Sequence, residues 1–228
     1  MIRRFLRRFL PARFPKTLPS LDAYSYWAEG YPPHAHNSLM QVEEEAMLSL
    51  MPALKNRMVL DLACGTGRYG LIALEQGAPF VVGLDNSAAM LRVARIGRVA
   101  LASTEAIPLG AGSVDVIICG LALGHLPHLN VTLREISRVL TPGGYALVSD
   151  LHPLLALSGA QRTFTTPDGQ TFAVEHHIHL DADYHRSALE AGLKIEQVVE
   201  PRLDVKNAPG KTQSDVPVVI VFRFQKPT

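Results

Sequence analysis

Residues 59–70 read Val-Leu-Asp-Leu-Ala-Cys-Gly-Thr-Gly-Arg-Tyr-Gly, and few folds accommodate such a run. Three apolar residues, Met58 to Leu60, lead to Asp61, and a stretch of small residues then opens the apolar pattern of Leu71, Ile72 and Leu74. That is a buried strand, a tight turn and the first turns of a helix. Gly65 and Gly67 remove side chains where the backbone turns sharply and lies against a ligand. The helix behind them begins with free N–H groups, and Asp61 ends the strand as a fixed carboxylate beside the same crevice. Such a turn holds a nucleotide-like cofactor in an open α/β sheet.

The spacing Gly65-x-Gly67-x-x-Gly70 also matches the dinucleotide fingerprint. Asp61 separates the two, because a pyrophosphate gains nothing from a carboxylate beside it, whereas a cofactor carrying an ammonium and a sulfonium does. The pattern Asp61-x-x-x-Gly65-x-Gly67 resembles the first motif of class I S-adenosylmethionine (SAM) methyltransferases. That resemblance implies that Ala63, Cys64, Gly65 and Gly67 cradle the methionine part while Asp61 supports its amino group. The family often has Gly where this chain has Ala63.

Downstream, the alternation is that of a doubly wound sheet. Phe80–Asp85 is a buried strand ending in an acid placed to take both ribose hydroxyls. Asn86 and Ser87 cap a helix through Met90. Strands follow at 98–102, 114–120 and 145–150, and two closing strands at 193–199 and 216–224 make seven. Thr141–Gly144 reads as a turn, and Arg134 and Glu135 as solvated residues on a helix from Asn130 to Leu140.

The motifs Asp85, Thr104-Glu105-Ala-Ile-Pro-Leu109, Ser113-Val-Asp115-Val-Ile, Leu121-Ala-Leu-Gly-His125-Leu and Arg138-Val-Leu-Thr-Pro-Gly-Gly144 keep the order of the same family. They resemble most the subgroup with ubiquinone/menaquinone and malonyl-carrier-protein methyltransferases. The resemblance covers residues 56–152. It implies a Rossmann-like, mostly parallel seven-stranded sheet with an N-terminal helical lid, with SAM as cofactor. Met90, Ser103, Thr104 and Glu105 would surround the adenine and ribose, although the family often has Asp or Asn at the position of Ser103. Leu121 and Ala122 would offer backbone to the methionine end.

Outside the core, 21–55 reads as the lid, with an aromatic patch Tyr24–Tyr31 and a helix from Ser38 to about Met51. Residues 153–228 read as a substrate-side insertion with closing strands, and 11–20 as a linker. Residues 2–10 place Ile2, Phe5, Leu6, Phe9 and Leu10 on one helical face and arginines on the other. Three uses fit that segment: packing on its own protein or a dimer partner, contact with an anionic membrane or a protein partner, or a targeting peptide.

Six of the 22 basic residues fall in the first 16, leaving 16 against 21 acidic residues in the rest. A body of that sign disfavours nucleic acid as substrate. The two cysteines form no disulfide framework or metal spacing, which points to a reducing, cytoplasmic compartment.

Methyl transfer from SAM is an in-line displacement in which the enzyme mainly positions reactants, and a base adds rate where the nucleophile begins protonated. Nine histidines offer candidates. His152, two residues past Asp150 at the carboxyl edge of the sheet, is the first choice for a base. His125, after the fourth strand, reads as packing against the cofactor. Tyr24, Tyr31, His36, His176 and His179 are candidates on the acceptor side. The run His176–His179 has no ligand spacing, and no metal is expected.

The leading reading is a SAM-dependent methyltransferase acting on a small molecule at oxygen; a carrier-bound, membrane-embedded or tRNA substrate, and a SAM-binding protein that does not methylate, are the alternatives.

Overall fold

The computed structural model describes residues 15–203 and 217–228. The basic segment at 2–10 lies outside the described residues, as does most of the polar stretch between the closing strands. In chain order the elements are β1 (Lys16–Leu18), α1 (Ser20–Trp27), α2 (Ser38–Leu50), β2 (Met58–Leu62), α3 (Arg68–Glu75), β3 (Phe80–Asp85), α4 (Ala88–Val93), β4 (Val99–Leu101) and β5 (Val114–Gly120). Then come α5 (Leu129–Val139), β6 (Leu140–Leu151), α6 (Pro153–Leu157), β7 (Thr163–Thr165), β8 (Thr171–Val174), α7 (Asp181–Glu190), β9 (Lys194–Val199) and β10 (Val219–Gln225).

Seven strands form the main sheet in the order β4-β3-β2-β5-β6-β10-β9, with β10 antiparallel to both neighbours and the other pairs parallel. The chain works outward from β2 to β4, then returns to lay β5 on the other side of β2. The crevice outside the carboxyl ends of β2 and β5 is therefore the topological switch point, where open α/β sheets take ligands.

The central strands are apolar on both faces because both faces are covered. Leu60, Ile117, Cys119 and Phe222 join Leu133 and Ile136 of α5 on one side. Val59, Val116, Ile118 and Val221 join Met40, Met47 and Leu50 of α2 on the other. The buried stripe of α5, Leu129, Leu133, Ile136 and Val139, has helical spacing. Asn37 starts α2 by accepting the Met40 N–H at 2.9 Å.

Three sequence expectations need correction here. Thr141–Gly144 does not precede the strand but falls inside β6 as an irregularity: Val114 pairs with Leu140 and Val116 with Tyr145, and Gly143 is left-handed (φ 77°). Glu135 is not simply solvated: it accepts the Ile107 N–H at 2.8 Å and pairs with Arg138, whose guanidinium also holds the Ile107 and Leu109 carbonyls. Part of the 11–20 linker is structured, since β1 pairs in parallel with β8, itself antiparallel to β7.

The resulting three-stranded sheet joins the N-terminal segment to the 153–180 insertion. Leu18, Ala23, Phe164 and Val174 form its own small core with Tyr24, Trp27 and Phe172 against it. Trp27 stacks on Phe164 with ring centroids 5.1 Å apart. The aromatic patch is thus fastened down by the insertion, and it stands over the carboxyl edge of the main sheet.

Candidate active site

Asp61 closes β2 with its side chain almost wholly buried, and one oxygen accepts the Gly70 N–H of α3 at 2.7 Å. Burial pushes its carboxyl up to about 7. The turn between β2 and α3 is left-handed at Ala63 (φ 55°), Gly65 (φ 54°) and Gly67 (φ 91°). Gly67 precedes α3 directly, and a Cβ there would come within 3.0 Å of the Ile96 side chain. Asp85 braces this turn from the neighbouring strand: it accepts the Gly65 N–H at 2.8 Å and the Ser87 N–H at 2.8 Å. Burial raises the Asp85 carboxyl also.

Above the turn lies a cavity with about 880 Å³ of empty space, part of it open to solvent. Asp61, Ala63, Cys64, Gly65, Asp85, Asn86, Met90 and Thr104 line it from the sheet side, and Leu121, Ala122 and His125 from the loop after β5. Tyr24, Tyr31 and Arg162 close it from the cap. Two neighbouring strand ends that each carry a carboxylate, a glycine turn and a covered crevice meet at the switch point, an arrangement suited to a nucleotide-like cofactor.

A methyltransferase domain family matches residues 60–148. The ubiquinone biosynthesis O-methyltransferase of Bordetella avium is 30% identical over 181 residues, a match spanning 73% of this chain and 73% of that protein. The chain belongs to the class I SAM-dependent methyltransferases. The malonyl-[acyl-carrier protein] O-methyltransferase of Enterobacter lignolyticus is 35% identical over 113 residues, spanning 48% of this chain and 45% of the relative. A SAM-dependent methyltransferase structure from Mesorhizobium loti shares the fold, with a TM-score of 0.66 at 22% identity over 81% of this chain and 97% of that one.

The residues of this methyltransferase fit SAM. Asp61 has only one oxygen hydrogen bonded among the described residues, and the other is free to face a cation. Each Asp85 oxygen takes one N–H and keeps a second lone pair for a ribose hydroxyl. Gly67, Ser103 and Glu105 do not line the cavity. Gly67 serves the turn itself, and Ser103 turns its hydroxyl to the Glu105 N–H at 3.1 Å. Thr104 faces the cavity and meets Thr132 at 3.2 Å.

The histidines part company. His125 has Nδ1 2.8 Å from the Glu175 carbonyl oxygen, which fixes the proton on that nitrogen. Nε2 is then the acceptor for the Tyr24 hydroxyl at 3.1 Å. Burial pushes His125 down to about 3, with the Arg162 cation adding to it, and burial pushes the Tyr24 phenol well up. Both groups are neutral at ordinary pH.

His152 does not line the cavity, contrary to expectation. Proline at 153 turns the chain into α6, and His152 caps that helix, its Nδ1 accepting the Leu154 N–H at 3.2 Å. Its Nε2 pairs with Glu200 at 2.9 Å. Asp150 does not orient it: the carboxylate accepts the Tyr184 hydroxyl and the Leu151 N–H, both at 2.8 Å. His152, Asp181 and Glu200 do place ligand atoms within 4.8 Å of one another. With Nδ1 accepting, however, the proton sits on Nε2, so the ring meets the acids as a donor.

His176 and His179 line neither this cavity nor its neighbour. Their segment laces to the loop after β5: the His177 N–H donates to Gly124 and His179 Nε2 to the Leu126 carbonyl at 2.8 Å. His36 lines a second cavity, adjoining the first at Leu121 and Arg162.

Sequence reading missed two groups. Glu43, fully buried on α2, pairs with Arg68 at 2.7 Å and accepts the hydroxyls of Tyr69 and Ser149. Helical periodicity alone would have flagged Glu43, an acid in the apolar stripe of α2. Arg162 donates to the Leu121 carbonyl at 3.2 Å and to the Tyr31 hydroxyl at 2.8 Å, and no local signal marked it.

Proposed function

We propose that this enzyme transfers a methyl group from SAM to an oxygen of a small-molecule acceptor, with Tyr24 and His125 receiving the acceptor's proton. The observation that carries the reading is the Tyr24–His125 hydrogen bond at the cavity wall, with His125 held neutral and its Nδ1 proton fixed by Glu175. The names of the four O-methyltransferases among its relatives support oxygen as the target, against one relative named as a C-methyltransferase.

In this reading Asp61 faces the ammonium end of SAM, Asp85 the ribose hydroxyls, and Met90 and Thr104 the adenine. Bound SAM supplies a methyl group activated by its cationic sulfur. Tyr24 and Tyr31 cover the crevice, orient the acceptor and keep water away. His125 is a weak base in the resting enzyme, yet an oxygen becomes strongly acidic as it gains a methyl group. The proton can then pass to the Tyr24 oxygen while the Tyr24 proton moves to His125 Nε2. General-base help of this sort contributes about 10²–10⁴-fold.

The acidic balance of the chain beyond residue 16 supports a non-nucleic-acid substrate. Cys64 and Cys119, both free and buried, support a cytoplasmic setting. Among the described residues no helix is long and apolar enough to cross a membrane. For residues 2–10, the charge pattern supports peripheral contact with an anionic membrane or a protein partner.

Incubation with methyl-labelled SAM and a small-molecule extract of the source cells tests the reading. Label recovered in a low-molecular-weight methyl ether is the expected result; a methyl ester would keep oxygen as the target and end the proton-transfer role, since a carboxylate brings no proton. Label in protein or nucleic acid, label on carbon, or SAM binding with no transfer would overturn it.

A further inference from the structure

Arg162 stands at the junction of the two cavities and lines both. Its guanidinium has five N–H donors, of which the structure gives protein partners to two, the Leu121 carbonyl and the Tyr31 hydroxyl. No carboxylate lies within ion-pairing distance of it among the described residues. Arg68, the other arginine on the first cavity, is by contrast neutralised by Glu43 and Glu44. The Arg162 Cζ instead lies 5.6 Å from the Tyr24 ring centre and 5.7 Å from that of Trp27, aromatic faces that hold a cation without neutralising it.

The second cavity offers about 1070 Å³ of empty space, part of it open to solvent, and its wall is largely apolar: Trp27, Leu39, Met40, Leu151 and Leu155, with Leu121 at the junction. An uncompensated guanidinium at one end of an apolar chamber complements one kind of molecule, an apolar body ending in an anion. Planar, bidentate geometry makes arginine a good match for carboxylate.

Resting on the methyltransferase reading above, we propose that Arg162 is a specificity-determining residue that binds a carboxylate on the acceptor, whose apolar body occupies the second cavity. The carboxylate then hangs between the chambers, and the rest of the acceptor is delivered toward Tyr24 and the cofactor crevice. Because SAM carries a carboxylate as well, the cofactor is the rival source of the same chemistry.

Trp27, the chain's only tryptophan, lines the second cavity and reports on it by fluorescence. With S-adenosylhomocysteine saturating, the wild-type protein is titrated with octanoate and, separately, with 1-octanol. Octanoate should bind at least about tenfold more tightly, the size of a charge-assisted pair. Arg162→Gln should abolish that preference, and Arg162→Lys should keep part of it. Calorimetry should find S-adenosylhomocysteine affinity within about threefold of wild type in both variants.

Equal binding of octanoate and octanol by the wild-type protein overturns the proposal without recourse to any variant. A parallel loss of S-adenosylhomocysteine affinity in Arg162→Gln overturns it too, and assigns Arg162 to the cofactor's carboxylate. Wild-type protein that binds no S-adenosylhomocysteine at all would sink the methyltransferase reading itself, a result distinct from either.

Discussion

The Tyr24 hydroxyl and His125 Nε2 lie 3.1 Å apart, although 101 residues of sequence separate them. Their meeting depends on the cap sheet, which ties the start of the described chain to the 163–174 hairpin and lowers Tyr24 onto the loop after β5. Glu175, just past that hairpin, holds the other ring nitrogen. The proposed proton acceptor is therefore assembled only when the cap is in place.

Tyr24→Phe should lower turnover of a hydroxyl acceptor by about two orders of magnitude and leave SAM affinity nearly unchanged. Because His125 is pushed down to about 3, it stays neutral across the working range, and turnover at saturating SAM should be flat from about pH 6 to pH 9. Steady-state kinetics with Tyr24→Phe and the wild-type pH profile check both points. Normal turnover in the variant would end the proton-transfer role.

Asp61, the proposed contact for the SAM ammonium, carries its charge at a cost in stability. Its carboxyl is pushed up to about 7 by burial, from the ordinary 3.8, so the folded protein holds this proton more tightly than the unfolded chain. The stabilisation is fully present below the unfolded value and is lost as pH rises to about 7, a change on the order of a few kcal/mol. Asp150, raised to about 7 by burial, acts in the same direction. Asp61→Asn keeps an acceptor for the Gly70 N–H and removes the charge. It should raise the melting temperature of the cofactor-free protein at pH 8, change it little at pH 4, and weaken SAM binding at least about tenfold. Melting curves at the two pH values and calorimetry at pH 8 test this, and unchanged SAM affinity would remove Asp61 from the ammonium contact.

Glu43→Gln should destabilise the protein by about 3 kcal/mol, because it leaves Arg68 buried without its main counter-charge. Glu44, 3.3 Å from Arg68 and only partly buried, keeps the loss toward the low end. The pair joins α2 to α3, and Ser149 extends it to β6, so urea unfolding should shift to a lower midpoint. An unmoved midpoint would show the network to be energetically idle.

The sheet was legible because its signals are local. Strands buried on both faces read as apolar runs, and the Asp61–Gly70 turn has small residues where the backbone is left-handed. The structure also explains the family's frequent glycine at the position of Ala63, which here holds φ 55°. Gly65 and Asp85, marked by the same local signals, line the cavity. What was not legible depends on distant partners. β1 is three residues long and becomes a strand only beside β8. Arg162 has meaning only against Tyr31 and Leu121, brought together by tertiary packing. Ser103 is adjacent to a cavity residue, but its hydroxyl satisfies its own turn.

His152 shows how position along a strand misleads when the next turn is unknown. The carboxyl edge of an open sheet is where catalytic groups collect, and His152 leaves that edge one residue after β6 ends. The ring is only 3% exposed, caps α6 through Nδ1 and donates through Nε2 to Glu200. His152→Ala should therefore act on stability: loss of the cap costs about 1 kcal/mol, and the space left by a buried ring adds to it. His152→Asn, which retains a capping oxygen, should recover about 1 kcal/mol of that loss. Both variants should turn over acceptor within about threefold of wild type at temperatures well below their melting points, since neither touches the cavity wall where Tyr24 and His125 meet. A fall in turnover of two orders of magnitude in a folded His152→Ala protein, with its melting temperature unchanged, would move the base from His125 to His152.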